Sequence, residues 1–263
     1  MHILVTNDDG VHAPGLLALT KAVRQIAEKV TILAPNRNWS ASGHVKTLHR
    51  PLRVTETELA DGSSAWATDG APSDCVALAQ LGFIPDKIDM VVSGINPNAN
   101  IGHDVTYSGT VTAAMEAAIW GIPGIAVSID KPEGLIGAVD YEGAAEAAQS
   151  VIQWLSQQAD LPGDAILNIN VPYGPLAEMK GFRITRQGLR IYRDELVRRL
   201  DPRGKPYYWI GGEAPTGVEE PGTDYGALSA GYVSITPIQL DLTSRSLQAW
   251  MEEHRFGEGL ADS

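Results

Sequence analysis

Asp8 and Asp9 stand side by side in Asn7-Asp8-Asp9-Gly10, directly after the short apolar run of residues 2–6. Adjacent carboxylates repel each other and gain little from folding unless a cation neutralises them. A hard divalent cation such as Mg²⁺ takes oxygen ligands of this kind, commonly one or two carboxylates completed by water and substrate phosphate. Asn, Asp and Gly are also favoured in turns, so the tetrapeptide by itself fits a plain turn equally well.

Two further loops carry polar groups of matching chemistry. In the stretch 34–43, Ser40 can offer a neutral oxygen ligand, and Ser42 and Gly43 can approach a phosphate; Trp39 beside them can equally cover the core edge. Ser93-Gly94-Ile95-Asn96 leads to Asn98, Asn100, His103 and Asp104, then to Tyr107-Ser108-Gly109-Thr110-Val111-Thr112 ahead of an alanine-rich helix. Free N–H groups at a helix start, two hydroxyls and a glycine together make an anion site. Ser108 and Thr110 suit helix capping by the same geometry. His103 can act in proton transfer, although a lone loop histidine is more often a surface group, and His12 and His44 have weaker claims. Cys75, among Val76, Leu78 and Leu81, reads as a packed small hydrophobe. Tyr207, Tyr208 and Trp209 can stack a base but suit an interface or core better. Neither a dinucleotide fingerprint nor a phosphate-loop Gly-Lys-Ser/Thr motif occurs.

These loops must be positioned by regular elements. Residues 2–6 read as a strand, 14–29 as a helix from the spacing of Leu16, Leu17, Leu19, Ala22, Val23 and Ile26, and 30–34 as a second strand. Further strands are expected at 89–93, 122–129 and 165–169, with helices at 108–120 and 141–158. Such alternation predicts an α/β fold: a Rossmann-like, mostly parallel sheet with helices on both faces. Ligands bind such sheets where loops leave the carboxyl ends of the strands, which is where all three polar segments fall. After about residue 180 the pattern changes to charged β-type runs over 182–210, a polar stretch at 213–226, a strand at 232–236 and a helix near 243–254. The expected organisation is a catalytic core over 1–180 and a C-terminal, β-rich and helical extension over 181–263 that is not independent.

Length and composition set outer bounds. The 263 residues suffice for one large core, and 44% hydrophobic with 20% charged residues is ordinary for a globular protein. The formal charge of −12 disfavours a nucleic acid polymer as partner and predicts that any phosphate site contains a metal. No apolar stretch approaches the roughly 18 residues of a membrane span. The apolar start is too short for a secretory leader, and the single cysteine excludes an intrachain disulfide; a cytoplasmic location is expected.

The segments at 7–15, 68–76, 93–96 and 107–111 resemble those of the SurE (survival protein E) family of 5′/3′-nucleotidases. The likeness continues through Asp201-Pro202-Arg203-Gly204, Tyr208-Trp209-Ile210-Gly211, Gly222-Thr223-Asp224 and 231–237, covering nearly the whole chain in order. It implies one divalent metal, Mg²⁺ or Mn²⁺ on this reading, held by Asp8, Asp9, Ser40 and Asn96. With it, Asp8, Asp9 and Asn96 are expected to be catalytic, and the loop and helix-start residues Ser42, Gly43, Ser108, Gly109 and Thr110 are expected around the phosphate. It implies release of phosphate from nucleoside 5′- or 3′-monophosphates, and from short polyphosphate. It further implies a homodimer or homotetramer assembled through the C-terminal extension. Two departures stand out: Ala41 follows Ser40 where many members have Gly, and Pro97-Asn98 occupy a position where small residues are usual. The sequence leaves open whether water or Asp8 attacks, and a phosphate-binding sensor without turnover is the alternative reading.

Overall fold

The computed structural model describes residues 1–158 and 165–254. Strands β1 (His2–Thr6) and β2 (Lys29–Pro35) flank helix α1 (Pro14–Arg24). A hairpin follows, β3 (Val54–Glu58) and β4 (Ser64–Thr68), then α2 (Pro72–Leu78) and β5 (Met90–Asn96). Helix α3 (Gly109–Ile119), β6 (Gly124–Asp130), α4 (Glu142–Ser156) and β7 (Ala165–Pro172) complete the alternating part. The C-terminal part contributes β8 (Phe182–Ile184), β9 (Arg190–Leu200), β10 (Pro206–Gly217), α5 (Asp224–Ser229), β11 (Val233–Gln239) and α6 (Arg245–Glu253).

The main sheet has the order β3-β4-β2-β1-β5-β6-β7-β11-β8. From β4 to β7 every neighbouring pair is parallel, while β3 and β11 run antiparallel to β4 and β7. Alternation along the strands sends residues to opposite faces. Ile3, Val5 and Val92 join Leu16, Leu19 and Ala144 in the core beneath α1 and α4. Leu4, Leu33 and Val91 join Cys75, Val76, Ala113 and Ala117 beneath α2 and α3.

The chain runs from β1 outward to β2 and β4, then returns to the other side of β1 with β5 and continues through β6 to β7. The sheet therefore reverses its direction of growth between β1 and β5. In open parallel sheets the crevice at the carboxyl ends of such a pair is the ligand site. Thr6 pairs with Ser93, so Asn7-Asp8-Asp9 leave β1 beside Gly94-Ile95-Asn96, the last residues of β5.

The alternating elements form as expected, with different ends. Helix α1 stops at Arg24 rather than 29, because Lys29 already opens β2. The hairpin β3–β4 was not expected, and it extends the sheet edge beyond β2. The polar stretch 213–226 begins as the end of β10 and closes with the start of α5. Strands β9 and β10 form a separate two-stranded ribbon, whereas β8 and β11 from the same region join the main sheet. Residues 255–263 of the expected extension lie outside the described residues. Among the described residues no helix is long and apolar enough to cross a membrane.

Candidate active site

Asp8 is buried where the loop after β1 meets the start of α3. Thr110 donates its hydroxyl to Asp8 Oδ1 at 2.5 Å, linking residues 102 positions apart. Gly109 lies directly against the same side chain: a Cβ there would sit 2.7 Å from Asp8 Cβ and 3.0 Å from Oδ2. Burial raises the Asp8 carboxyl above its ordinary range, and the Thr110 hydroxyl with the N–H groups of Thr110 and Gly109 pulls it part of the way back. The free N–H groups at the start of α3 thus face an anion supplied by the protein itself.

Asp9 is half-buried, and its carboxyl is pushed up from 3.8 to about 6, first by burial and then by the neighbouring charge of Asp8. The Asn38 amide, which donates to Asp9 Oδ1 at 3.1 Å, and the Lys131 ammonium oppose this shift. Asn7 holds the turn in shape by donating to the Gly10 carbonyl and accepting from the Gly10 N–H.

The loop after β2 is fastened to both neighbours. Trp39 donates its N–H to the Asp8 carbonyl at 2.7 Å, and Asn38 Oδ1 accepts from the Ser40 N–H at 2.7 Å. Ser40 is exposed at this rim. Ala41 has φ of 56°, in the left-handed region that favours glycine. Ser42 Oγ is buried without a hydrogen-bond partner. Gly43 differs: its N–H goes to the Tyr107 carbonyl, and its carbonyl accepts from Thr112 Oγ1, so its backbone braces the loop against α3. The brace continues at Glu116, buried on α3, which accepts from His44 Nε2 at 3.0 Å, Lys46 Nζ at 3.2 Å and Trp120 Nε1 at 3.1 Å.

Asn96 ends β5 and donates its amide to the Asn98 carbonyl at 2.5 Å, which leaves its side-chain oxygen as an acceptor or ligand. Gly94 makes this approach possible, since a Cβ at its φ of 139° would lie 2.3 Å from the Val127 carbonyl oxygen. Ser108 is the N-cap of α3 and accepts from the Val111 N–H at 3.1 Å, leaving its hydroxyl proton free to donate.

The structure therefore gathers Asp8, Asp9, Ser40, Ser42, Asn96 and Ser108–Thr110 at one end of the sheet. It also sorts their roles: the Thr110 hydroxyl serves Asp8, and Gly43 serves the loop. His103 is exposed beside Asp104, whose carboxylate takes Arg190 and Tyr192 instead. Burial pushes the Cys75 thiol up, leaving it a packed hydrophobe. Tyr208 and Trp209 are exposed on the β9–β10 ribbon. Sequence reasoning missed Asn38, Lys131, Tyr141 and Glu116. Lys131 follows directly on β6, so the rule that residues just past a parallel strand reach the rim marks it.

The donor set is all oxygen: two carboxylates, a hydroxyl and a carboxamide. Among the described residues no group of three or more His, Cys, Asp or Glu side chains is placed to hold a metal. Two acids with neutral oxygens suit Mg²⁺ or Mn²⁺ better than zinc.

A family model described as "Survival protein SurE" matches residues 3–194. The chain belongs to the SurE family. It is 53% identical to a Herpetosiphon aurantiacus protein named "5′-nucleotidase SurE", over 93% of this chain and 94% of that one. A Chloroflexus aggregans protein of the same name is 50% identical over 98% and 99% of the two chains. The crystal structure of the SurE protein from Aquifex aeolicus superimposes with a TM-score of 0.79 at 37% identity, covering 97% of this chain and all of the other. This likeness bears out the Rossmann-like fold with an added C-terminal β-ribbon.

Proposed function

We propose that this SurE-family chain is a metal-dependent phosphomonoesterase that hydrolyses nucleoside 5′-monophosphates to nucleoside and phosphate. The observation that carries the reading is the Asp8–Asp9 pair set against the N-terminus of α3 at the point where the sheet reverses. Relatives about half identical over nearly the whole chain bear the name 5′-nucleotidase. We extend the substrate range to 3′-monophosphates and short polyphosphate, and assign assembly of a homodimer or homotetramer to the C-terminal part, where Leu196, Trp209 and Ile210 of the ribbon are exposed.

In this reading Asp8, Asp9, Ser40 and Asn96 hold one divalent cation, Mg²⁺ or Mn²⁺. A cation there supplies charge neutralisation for the phosphoryl oxygens and activation of the attacking group. Thr110 fixes the Asp8 carboxylate in one orientation. Asn38 steadies Asp9, and the Trp39 N–H ties the Ser40 loop to the Asp8 backbone. The Ser108 hydroxyl and the unpartnered Ser42 hydroxyl donate to phosphate oxygens, with Gly109 and Thr110 completing that wall and Gly43 holding it in place. Hydrolysis of a phosphomonoester needs such positioning and electrostatic stabilisation more than covalent chemistry.

The test is phosphate release from a panel of 5′- and 3′-nucleoside monophosphates with Mg²⁺, with Mn²⁺ and with a chelator. Release that requires metal supports the proposal. Folded protein that binds nucleotide yet releases no phosphate with either metal overturns it in favour of a sensor.

A further inference from the structure

A cleft of about 390 Å³ opens from Asp9, walled by His12, Pro14, Arg37, Pro97 and Tyr141. Three other surface clefts lie between β2 and the β3–β4 hairpin, along α6, and between α1 and α4, and none of them is bordered by a residue of the phosphate site. The volume falls within the range of roughly 300–1,000 Å³ usual for small-molecule sites. We propose that this cleft is the nucleoside subsite, with His12 and Tyr141 flanking the base and setting the preference for nucleotides over simpler phosphate esters. The inference rests on the nucleotidase reading and deepens it.

The position follows from the arrangement about the two acids. The start of α3 closes the Asp8 side, where a Cβ on Gly109 has no room. The cleft opens on the opposite side, past Asp9, so a phosphate held at Asp8 and Asp9 directs its ester group there. The walls suit a flat, partly polar group. Tyr141 precedes α4 and packs on Gly15, where a Cβ would come within 3.1 Å of Tyr141 Cε1, so the ring is held in place before any ligand arrives. Its phenol is pushed up to about 12, by burial and then by the Asp9 charge, and so stays a neutral donor near the site. His12 is exposed and free to lie against a base. The Arg37 guanidinium is stacked over Trp39 at 4.8 Å, which presents a fixed fork of donors at the mouth for ribose hydroxyls or a base edge. The stacking area offered by His12 and Tyr141 favours purines over pyrimidines.

The experiment compares kcat/KM for AMP, CMP and ribose 5-phosphate in the wild type, His12→Ala, His12→Trp and Tyr141→Leu. The expected wild-type order is AMP, then CMP, then ribose 5-phosphate. In His12→Ala the ratio of AMP to ribose 5-phosphate falls by about tenfold, the size of one lost stacking contact, and the fall is carried by the KM for AMP. His12→Trp raises the ratio. His12 is exposed, so its variants remain informative even where Tyr141→Leu disturbs packing around Gly15. A wild type that turns over ribose 5-phosphate as well as AMP, or a ratio unmoved in both His12 variants, overturns the subsite alone. A wild type that releases phosphate from ribose 5-phosphate and from no nucleotide overturns the nucleotidase reading together with the subsite.

Discussion

Replacing Asp9 by Asn is expected to stabilise the metal-free protein while abolishing its metal response. Asp9 is pushed from 3.8 to about 6 by burial and by the adjacent Asp8. A carboxyl whose folded-state value lies above its unfolded one binds more protons in the native state between the two. Its contribution is therefore most favourable below about pH 4 and is lost as pH rises through about 6. Two units correspond to about 3 kcal/mol for a fully buried group, and the remaining solvent contact of Asp9 screens this to about 1 kcal/mol. Asp9→Asn removes the penalty while its side-chain oxygen still accepts from Asn38. In a chelator at pH 8 the variant should melt about 2–4 °C above the wild type, and at pH 5 the advantage should shrink to about half. Excess Mg²⁺ should reverse the order, since a ligand at 100 times its Kd adds about 2.7 kcal/mol to the wild type. Thermal melts at both pH values, with and without metal, together with phosphate-release assays, provide the check. A variant less stable than wild type in chelator at pH 8, or one that keeps the full gain with Mg²⁺, would refute the reasoning.

Gly109→Ala places a methyl group 2.7 Å from Asp8 Cβ, so kcat should fall by tenfold or more and stability by about 1–3 kcal/mol, read by turnover and urea denaturation. Ala41→Gly relieves a left-handed backbone at φ of 56° and should raise stability by up to about 1 kcal/mol in the same denaturation assay. Glu116→Gln weakens the acceptor shared by His44, Lys46 and Trp120; the metal concentration for half-activity should rise severalfold, with a stability loss of about 1–2 kcal/mol. Thr110→Val deprives buried Asp8 of its donor and should cost about 1.5–3 kcal/mol in chelator, whereas Thr110→Ser should recover most of it.

The core strands and the helices between them were legible because their burial is one-sided or complete. The residues of β1 are all buried, and the apolar positions of α1 repeat at helical spacing. The β3–β4 hairpin escaped because its outer strand, Val-Thr-Glu-Thr-Glu, sits at a sheet edge and carries little apolar pattern. Element ends were blurred where one pattern runs into the next, as between α1 and β2. The positions of Asp8, Asp9, Asn96 and Ser108 were readable because each lies at or just past a strand end or at a helix start. The bond from Thr110 to Asp8 was not, because no local spacing relates residues 102 positions apart. Glu116 was hidden for the same reason: its partners His44 and Lys46 lie some seventy residues earlier in the chain.

Two identical side chains at adjacent positions are both raised by burial, but the fold gives them different donors. Asp8 points to the start of α3, where one hydroxyl and two backbone N–H groups serve its carboxylate. Those donors belong to a helix end and persist whatever else binds. Asp9 points the other way, with one amide at 3.1 Å and a lysine ammonium to offset its burial and its neighbour's charge. The compensation is partial for both acids, but that for Asp8 comes from a helix end, whereas that for Asp9 comes from two side chains. A cation bound as proposed would find Asp8 already oriented and would relieve the burial and mutual repulsion of both carboxylates. Orientation at Asp8 would limit the entropy lost on binding, and relief at the pair would supply driving force. On this argument substitution of Asp8 chiefly disturbs geometry and turnover, and substitution of Asp9 chiefly disturbs metal affinity, so the two Asn variants should separate when activity is titrated against Mg²⁺.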